Sequence, residues 1–471
     1  MKQKILLLIS LLVILSLVLT ACELPIPAQT ASEPEPAART AEQTSQPGVT
    51  PTPEIIPEVT EMPAEAVEET EENQPEEEEE EEEESFTAGT YGPTDFPENI
   101  NPLTGLPVAD PEILKLPPAL ISISNFPASA RPQSGINTSP IVFELAIGEG
   151  MTRFLALFYG GYPQVVSGQA EGQAGGGVSS SDGLTGSGGD DNAEGTTDGG
   201  AATASQSLSI GPIRSGRLPY EDIRSIYSGF LVMASAYSGV AQNLSEYTNI
   251  FGSDSDDING HLIDVDKLTQ IAQSRADRYP GSNFNLEGMM FSPEPPEGGR
   301  TADRAWVFYS NLNQIQWRYD AALGGYVRYD IKTDGSGEFV MATDRLTGEP
   351  VSRENVIVIF AQHEFLAPTL IDIQLTNIPP MKALLFRDGE IHEIFWTSQF
   401  GDYEQQTGLL RPMRFVNADG SPVALKNGHT WVQIVTTASY FVESEISDEP
   451  FYPIKESEGT GLWLVRYKGT Y

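Results

Sequence analysis

Residues 141–159 read IVFELAIGEGMTRFLALFY, two apolar runs of strand length joined by a short polar turn. Ile141–Ala146 and Arg153–Tyr159 are rich in β-branched, leucine and aromatic residues, which is typical of buried strands. Gly148-Glu149-Gly150 supplies the turn between them. A third buried strand is expected at Ala119–Ser124, where the chain reads ALISIS. These runs predict a sheet in the amino-terminal half.

The pattern outward from this stretch differs on the two sides of residue 303. Before it, helices are predicted at Tyr220–Tyr227, Ser238–Leu244 and Val265–Arg278, with a central strand at Phe230–Ala234. After it, apolar residues alternate with polar ones, and Gly-Gly, Asp-Gly and Asn-Gly turns separate the runs. The sequence therefore predicts an α+β fold, an amino-terminal mixed α/β portion followed by a mainly antiparallel β carboxyl-terminal portion.

Composition divides the 471 residues into segments of different kinds. We expect a lipoprotein signal peptide at 1–21, a disordered acidic Pro/Glu-rich tether at 22–90, an α/β domain at 91–300 interrupted by a flexible Gly/Ser-rich insertion at 164–207, and a β-rich domain at 301–471. The remaining length is enough for two ordinary hydrophobic cores.

The chain is strongly acidic, with 67 Asp and Glu against 27 Lys and Arg and a formal charge of −40. Such a balance argues against nucleic acid as a partner and against direct docking on anionic lipids. The unbroken glutamate run Glu76–Glu84 is interpreted as a solvated spacer, with weak cation capture as the alternative. The single cysteine excludes an internal disulfide and a cysteine metal cluster.

The amino terminus has the anatomy of an export signal. Lys2 and Lys4 precede an apolar run, Ile5–Leu19, which is too short for an ordinary transmembrane helix. Leu19-Thr20-Ala21-Cys22 then resembles the lipobox of bacterial lipoproteins, which implies lipid attachment at Cys22 and fatty acyl chains such as palmitate. We therefore expect an extracytoplasmic protein anchored to the cell membrane. The alternative is a plain secretory signal with an incidental cysteine.

Several phrases in both halves resemble one family, the YerB-like bacterial lipoproteins, whose domain has no known function. They are Asn101-Pro-Leu-Thr-Gly-Leu-Pro107, Arg131-Pro-Gln-Ser-Gly135, Ile141-Val-Phe-Glu144, Gly150-Met-Thr-Arg-Phe154, Gly211-Pro-Ile-Arg-Ser-Gly-Arg217 and Gly428-His-Thr-Trp431. The resemblance implies an α/β portion followed by a β-rich portion and no established reaction. It also implies a His-Ala-Gly-like step after the central strand, which this chain lacks at Val232–Ala236.

Arginines are the residues most indicative of a site. Gly211–Arg217 is turn-like and enters a predicted helix, and two arginines three residues apart lie on one side of a helical turn. Guanidinium forks and backbone N–H groups there suit a carboxylate or a phosphate. We predict that Arg131, Arg153, Arg214 and Arg217 bind an anionic ligand. The alternative is structural pairing of Arg153 or Arg214 with Glu144 or Glu149.

Other chemistry has weaker support. Ser255, Asp257, Asn259 and Asp266 partly match a calcium loop, but an Asp-rich turn explains the same letters, so no metal site is assigned. The histidines at 261, 363, 392 and 429 lack metal-ligand spacing. No catalytic residue and no cofactor are predicted, because the chain has no nucleophile elbow and no phosphate loop.

The sequence thus favours a lipid-anchored protein that binds an anionic envelope ligand or an envelope protein. A cell-envelope hydrolase acting on glycan or peptide through paired carboxylates is the alternative, since acidic pairs are plentiful and their geometry is open. A scaffold for another envelope protein is a third interpretation.

Overall fold

A computed structural model describes residues 88–163, 208–250, 261–278, 283–445 and 455–469. The predicted signal peptide with Cys22, nearly all of the predicted tether and the whole predicted insertion at 164–207 lie outside the described residues. Within the described part of the chain, every helix is too short or too polar to cross a bilayer.

Among the residues described before position 300, the chain forms ten strands and three α-helices. The strands are β1 (Ile100–Asn101), β2 (Leu106–Pro107), β3 (Ala119–Ser124), β4 (Ile141–Gly148), β5 (Met151–Phe158), β6 (Ser209–Ile210), β7 (Phe230–Met233), β8 (Tyr247–Asn249), β9 (Ile263–Asp264) and β10 (Met290–Phe291). The α-helices are α1 (Tyr220–Ile226), α2 (Ser238–Ala241) and α3 (Val265–Arg278). Two short 3-10 helices lie at Pro111–Lys115 and Ala128–Ala130.

The second part is built almost entirely from strands. They are β11 (Arg300–Thr301), β12 (Arg304–Ser310), β13 (Asn313–Asp320), β14 (Gly325–Ile331), β15 (Phe339–Met341), β16 (Ser352–Arg353), β17 (Asn355–Ala361), β18 (His363–Ala367), β19 (Leu370–Ile373), β20 (Met381–Arg387), β21 (Glu390–Thr397), β22 (Arg414–Val416), β23 (Ala424–Leu425), β24 (Thr430–Thr436), β25 (Tyr440–Glu443) and β26 (Leu462–Arg466). One helix, α4 (Asp402–Thr407), interrupts them.

A large sheet of eleven strands runs through both parts of the chain. Its order is β11-β21-β20-β17-β24-β4-β5-β3-β7-β8, and β22 pairs with β21. The hairpin predicted from residues 141–159 is present as β4 and β5. β24 lies parallel to β4 on one side and parallel to β17 on the other. The amino-terminal and carboxyl-terminal strands therefore share one sheet.

A second sheet of seven strands packs against one face of the large sheet. Its order is β15-β14-β13-β12-β26-β25, and β16 pairs with β14. Contact between the sheets includes the rings of Trp317 on β13 and Trp431 on β24, 5.2 Å apart. On the opposite face of the large sheet lies α1, and the ring of Tyr227, the residue that follows α1, contacts Phe143 of β4 with 5.6 Å between the ring centroids. β4 is buried along its whole length because both of its faces are covered.

The prediction of an α+β fold with a mixed α/β amino-terminal portion is wrong. Helices account for 12% of the structure and strands for 41%, and the amino-terminal part has no substantial α/β layer. The predicted helices exist, but α1 has 7 residues and α2 has 4, so they cover only small areas of a sheet. The β-rich character predicted for the carboxyl-terminal portion is confirmed.

Candidate anion-binding site

Three of the four predicted arginines lie together on the α1 face of the large sheet. Arg153 belongs to β5, and Arg214 and Arg217 lie on the segment between β6 and α1. Arg153 Nη1 donates to the carbonyl oxygen of Ser215 at 3.1 Å, so the buried guanidinium is held against the middle of that segment. All three guanidiniums are close enough to repel one another. We call them the arginine cluster.

Backbone hydrogen bonds hold the arginine segment at the carboxyl ends of two parallel strands, β3 and β7. The N–H of Arg214 donates to Ser122 O at 2.9 Å, and Arg214 O accepts from the N–H of Ala234 at 3.0 Å. The N–H of Gly216 donates to Ser235 O at 3.0 Å. The segment therefore continues the sheet hydrogen bonding beyond both strands, which makes it a rigid support for the side chains.

Gly216 allows the segment to approach the end of β7 closely. A Cβ atom at this position would lie 2.5 Å from Met233 Sδ and 2.8 Å from Leu244 Cδ1, which is shorter than van der Waals contact permits. It would also lie 3.5 Å from the Cβ of Ala236. The step Val232–Ala236, where the family resemblance implies a histidine, thus lies beside the arginine segment.

Within the described residues, no member of the arginine cluster forms an ion pair with a carboxylate, and the Nε atoms of all three are buried without an acceptor. Burial and repulsion by Arg217 and Arg214 lower the pKa of Arg153 to about 9. Burial and repulsion by Arg214 likewise lower the pKa of Arg217. The site is a concentration of positive charge without an internal counterion among these residues.

Two hydroxyl groups next to the cluster were missed by the sequence analysis. Tyr220 OH lies 3.1 Å from Ser122 Oγ, which also donates to Ser215 O at 3.2 Å. Burial raises the pKa of Tyr220 although Arg153 and Arg217 act in the opposite direction, so this phenol stays neutral. The sequence does indicate Ser122, because Ser122 and Ser124 alternate with apolar residues in β3. In the structure both serines lie on the same face of the sheet as Arg153.

The alternative pairing of Arg153 with Glu144 is not formed, and the pleat of the sheet explains why. Glu144 lies opposite Phe154 in the β4–β5 ladder, whereas Arg153 lies opposite Leu145. Because successive side chains point to opposite faces of a strand, Glu144 and Arg153 lie on different sides of the sheet. Glu149 is exposed in the turn and forms no ion pair within the described residues.

Glu144 instead neutralises Arg328 of the second sheet, at 2.7 Å between Oε2 and Nη1. Its carboxylate also accepts from Thr152 Oγ1 at 2.7 Å, Trp431 Nε1 at 3.1 Å and Gln433 Nε2 at 3.0 Å. Burial opposes the charge of Arg328, but Asp330 and Glu144 outweigh it and raise the pKa of this guanidinium. This satisfied network joins the two sheets and leaves no carboxylate for the arginine cluster.

Arg131 and Arg224 have other partners. Arg131 Nε donates to Asn125 Oδ1 at 2.9 Å, and Nη1 lies 3.8 Å from Asp330 Oδ2, which places Arg131 with the network between the sheets. Arg224 Nη2 pairs with Glu221 Oε1 at 2.7 Å on α1. Of the predicted site residues Arg131 and Arg153, only Arg153 therefore lies with Arg214 and Arg217.

The segment that partly matches a calcium loop falls largely outside the described part of the chain. Ser255, Asp257 and Asn259 are not described, and Asp266 is exposed at the start of α3, where its N–H donates to Asp264 Oδ1 at 2.9 Å. Among the residues that the structure describes, no group of three or more His, Cys, Asp and Glu side chains is arranged to hold a metal ion.

Comparison with known proteins finds the same two-part organisation in other chains. Residues 103–168 match "Protein of unknown function (DUF3048) N-terminal domain", and residues 305–432 match "Protein of unknown function (DUF3048) C-terminal domain". The chain is 25% identical over 351 residues to "Putative lipoprotein YerB" of Bacillus subtilis (strain 168), covering 71% of this chain and 85% of the relative. A crystal structure of YerB from Bacillus subtilis matches with a TM-score of 0.48 at 23% identity, over 71% of this chain and 96% of that one.

Two parts of the chain therefore match the amino- and carboxyl-terminal domains of DUF3048. The chain is similar to YerB, which confirms the YerB-like resemblance found in the sequence. Arg153 lies in the first matched range, and Arg214 and Arg217 lie between the two ranges. Both matched domains are described as domains of unknown function, so the matches assign no reaction to the chain.

Proposed function

We propose that this protein is a lipid-anchored extracytoplasmic lipoprotein whose folded part binds an anionic ligand of the cell envelope at Arg153, Arg214 and Arg217. The anchor is supported by the lipobox-like Leu19-Thr20-Ala21-Cys22 and by the printed name of the Bacillus subtilis relative. Acyl chains such as palmitate on Cys22 would hold the chain at the membrane, because two or three chains give stable anchoring.

The observation that carries the binding proposal is the absence of a carboxylate partner, within the described residues, for three clustered guanidiniums. A buried arginine is ordinarily paired, since an unpaired buried charge costs several kcal/mol. Here three like charges repel one another in a partly buried place, and their Nε donors point to no acceptor. An anion would neutralise the charge and accept these hydrogen bonds, so the arrangement has the properties of a preformed receptor.

The test is titration calorimetry of the full chain in detergent with inorganic phosphate and with acetate, at constant ionic strength. We expect at least one anion to bind. Arg214→Lys or Arg217→Lys should weaken it about tenfold or more, because lysine lacks the planar fork and a charge-assisted contact contributes roughly 1.5–3 kcal/mol.

Arg300→Lys is the matched control, because Arg300 is half exposed and pairs with Glu393 at a distance from the cluster. It should leave affinity unchanged. Absence of binding for both anions, or equal loss of affinity in the control, contradicts the proposal. Thermal melts of each variant separate a binding effect from a loss of folded protein.

A further inference from the structure

We infer that the anion bound at the arginine cluster is a phosphate monoester dianion. This inference rests on the proposed function and specifies its ligand. The charge of the cluster favours a dianion. Arg153, Arg214 and Arg217 together bring three positive charges, and no described carboxylate offsets them. A carboxylate neutralises one of the three, whereas a phosphate monoester carries close to two negative charges at neutral pH.

The number and direction of the hydrogen-bond donors also favour a phosphate monoester. The guanidiniums come from two separate elements, β5 and the segment before α1, and each offers several N–H groups in a planar fork. A carboxylate presents two oxygens in one plane, which matches one guanidinium well. A phosphate monoester presents three terminal oxygens in a tetrahedral arrangement, and these can accept from donors that approach from different directions.

The surroundings of the cluster are also compatible with a dianion. The nearby polar side chains, Ser122 and Tyr220, are neutral and already bonded to each other at 3.1 Å. They therefore add no negative charge that would repel a dianion. The described titratable groups facing the cluster are its own arginines and Tyr220; His261 contributes its backbone carbonyl, which accepts from the N–H of Ile213 at 2.7 Å.

The deciding experiment compares glycerol 3-phosphate, sulfate and acetate with the full chain in detergent, by calorimetry from pH 5.5 to pH 8. We expect glycerol 3-phosphate to bind at least tenfold more tightly than acetate at pH 8. Its affinity should rise as the second proton leaves the phosphate, with a pKa of about 6. Sulfate is a dianion throughout this range, so its affinity should stay flat and thereby exclude titration of the protein as the cause.

Arg217→Gln should remove the preference for the phosphate monoester, while Arg300→Gln should retain it. Acetate binding as tightly as glycerol 3-phosphate would overturn this inference and leave the proposed function standing. No binding of any anion would instead overturn the proposed function. These two failures are therefore distinguishable in one set of titrations.

A phosphate monoester could be soluble or belong to a lipid headgroup, and a second arm separates these sources. Flotation with phosphatidylcholine vesicles, with and without phosphatidic acid, uses the full chain carrying Cys22→Ser. Retention that requires phosphatidic acid and is lost in Arg217→Gln supports the inference with a lipid source. Binding of glycerol 3-phosphate without such retention supports it with a soluble source. The inference is contradicted when the protein neither binds glycerol 3-phosphate nor is retained by vesicles that contain phosphatidic acid.

Discussion

Arg153 is 4% exposed and shares its surroundings with two other guanidiniums. Arg153 has a single carbonyl acceptor, whereas Arg328 has two carboxylates at 2.7 and 2.8 Å. The two arginines illustrate different uses of the same side chain. Arg328 joins two sheets, whereas Arg153 is a charge that the folded state holds at a cost.

At this scale we predict that removing one charge stabilises the protein while it weakens anion binding. Arg217→Gln should raise the free energy of unfolding by about 0.5–2 kcal/mol, the usual size of a stabilising substitution, because repulsion with Arg153 and Arg214 is relieved. Chemical denaturation of the full chain measures this. A fall in stability with unaltered anion affinity would favour a structural role for the arginines.

The arginine cluster could be predicted only in part from the sequence. The turn-like sequence Gly211–Arg217 indicates Arg214 and Arg217 as candidate site residues. Whether Arg131 or Arg153 lies beside these two residues depends on the face of the large sheet on which each side chain lies. That face follows from pairing between strands that are distant in sequence. The sequence predicts Arg131 as a member of the same site because no local pattern indicates that it lies with Asp330 in the network between the two sheets.

At the scale of elements, the short helix α4 depends on one carboxylate. Glu404, with its side chain 3% exposed, accepts from Arg411 Nε at 2.6 Å, Arg411 Nη2 at 3.0 Å and the N–H of Gly401 at 2.8 Å. Burial acts to raise the pKa of Glu404, but these hydrogen bonds outweigh it and lower the pKa to about 2. Gly408 ends the helix in the left-handed conformation, with φ of 71°.

This pKa predicts a specific acid sensitivity. A glutamate has a pKa of about 4.3 when unfolded, so the folded protein holds fewer protons between the two values. The stabilisation is complete above about pH 5 and is lost as the pH falls through 4 towards 2. Glu404→Gln should therefore be less stable than wild type at pH 7, and the difference should shrink by pH 2.5.

Denaturant titrations at pH 7, 5, 4 and 2.5 check this difference. Glu98→Gln is the control, because Glu98 is exposed and forms no ion pair within the described residues. A gap between Glu404→Gln and wild type that stays constant with pH would show that Glu404 acts through packing and not through its charge.

Individual elements were predictable because their signals are local. The expected bounds Ala119–Ser124 and Val265–Arg278 coincide with β3 and α3. Periodicity and turn residues act over a few positions, and these elements contain both. The fold class was wrong because the short runs after Tyr220 and Ser238 have helical patterns, while the area that they cover depends on sheet order. Sheet order is decided by pairs such as β4 with β24, which no local pattern encodes.

At the scale of the molecule, the proposed anchor makes a direct prediction. Cys22→Ser should prevent lipid attachment, because it removes the thiol. The part of the chain that the structure describes should stay folded, because the described core does not include residue 22. Cell fractionation with metabolic fatty-acid labelling measures both outcomes. Label on the wild type and none on the variant supports the anchor, and an unlabelled wild type contradicts it.

The predicted domains 91–300 and 301–471 contribute strands to the same large sheet through β4 and β24. Their division at residue 300 stays a prediction. The family models also fall on either side of that point, at 103–168 and 305–432. Expressing the two segments separately and together would establish whether each holds its fold alone.

The central place of β24 also has a consequence for how the chain folds. β4 ends at residue 148, and its parallel neighbour β24 begins at residue 430. The large sheet therefore cannot be completed until most of the polypeptide is present. Pairings between such distant residues carry a large loop-closure entropy and slow the search for the native topology. A chain truncated before residue 430 would lack the strand between β17 and β4 and would expose two sheet edges to aggregation.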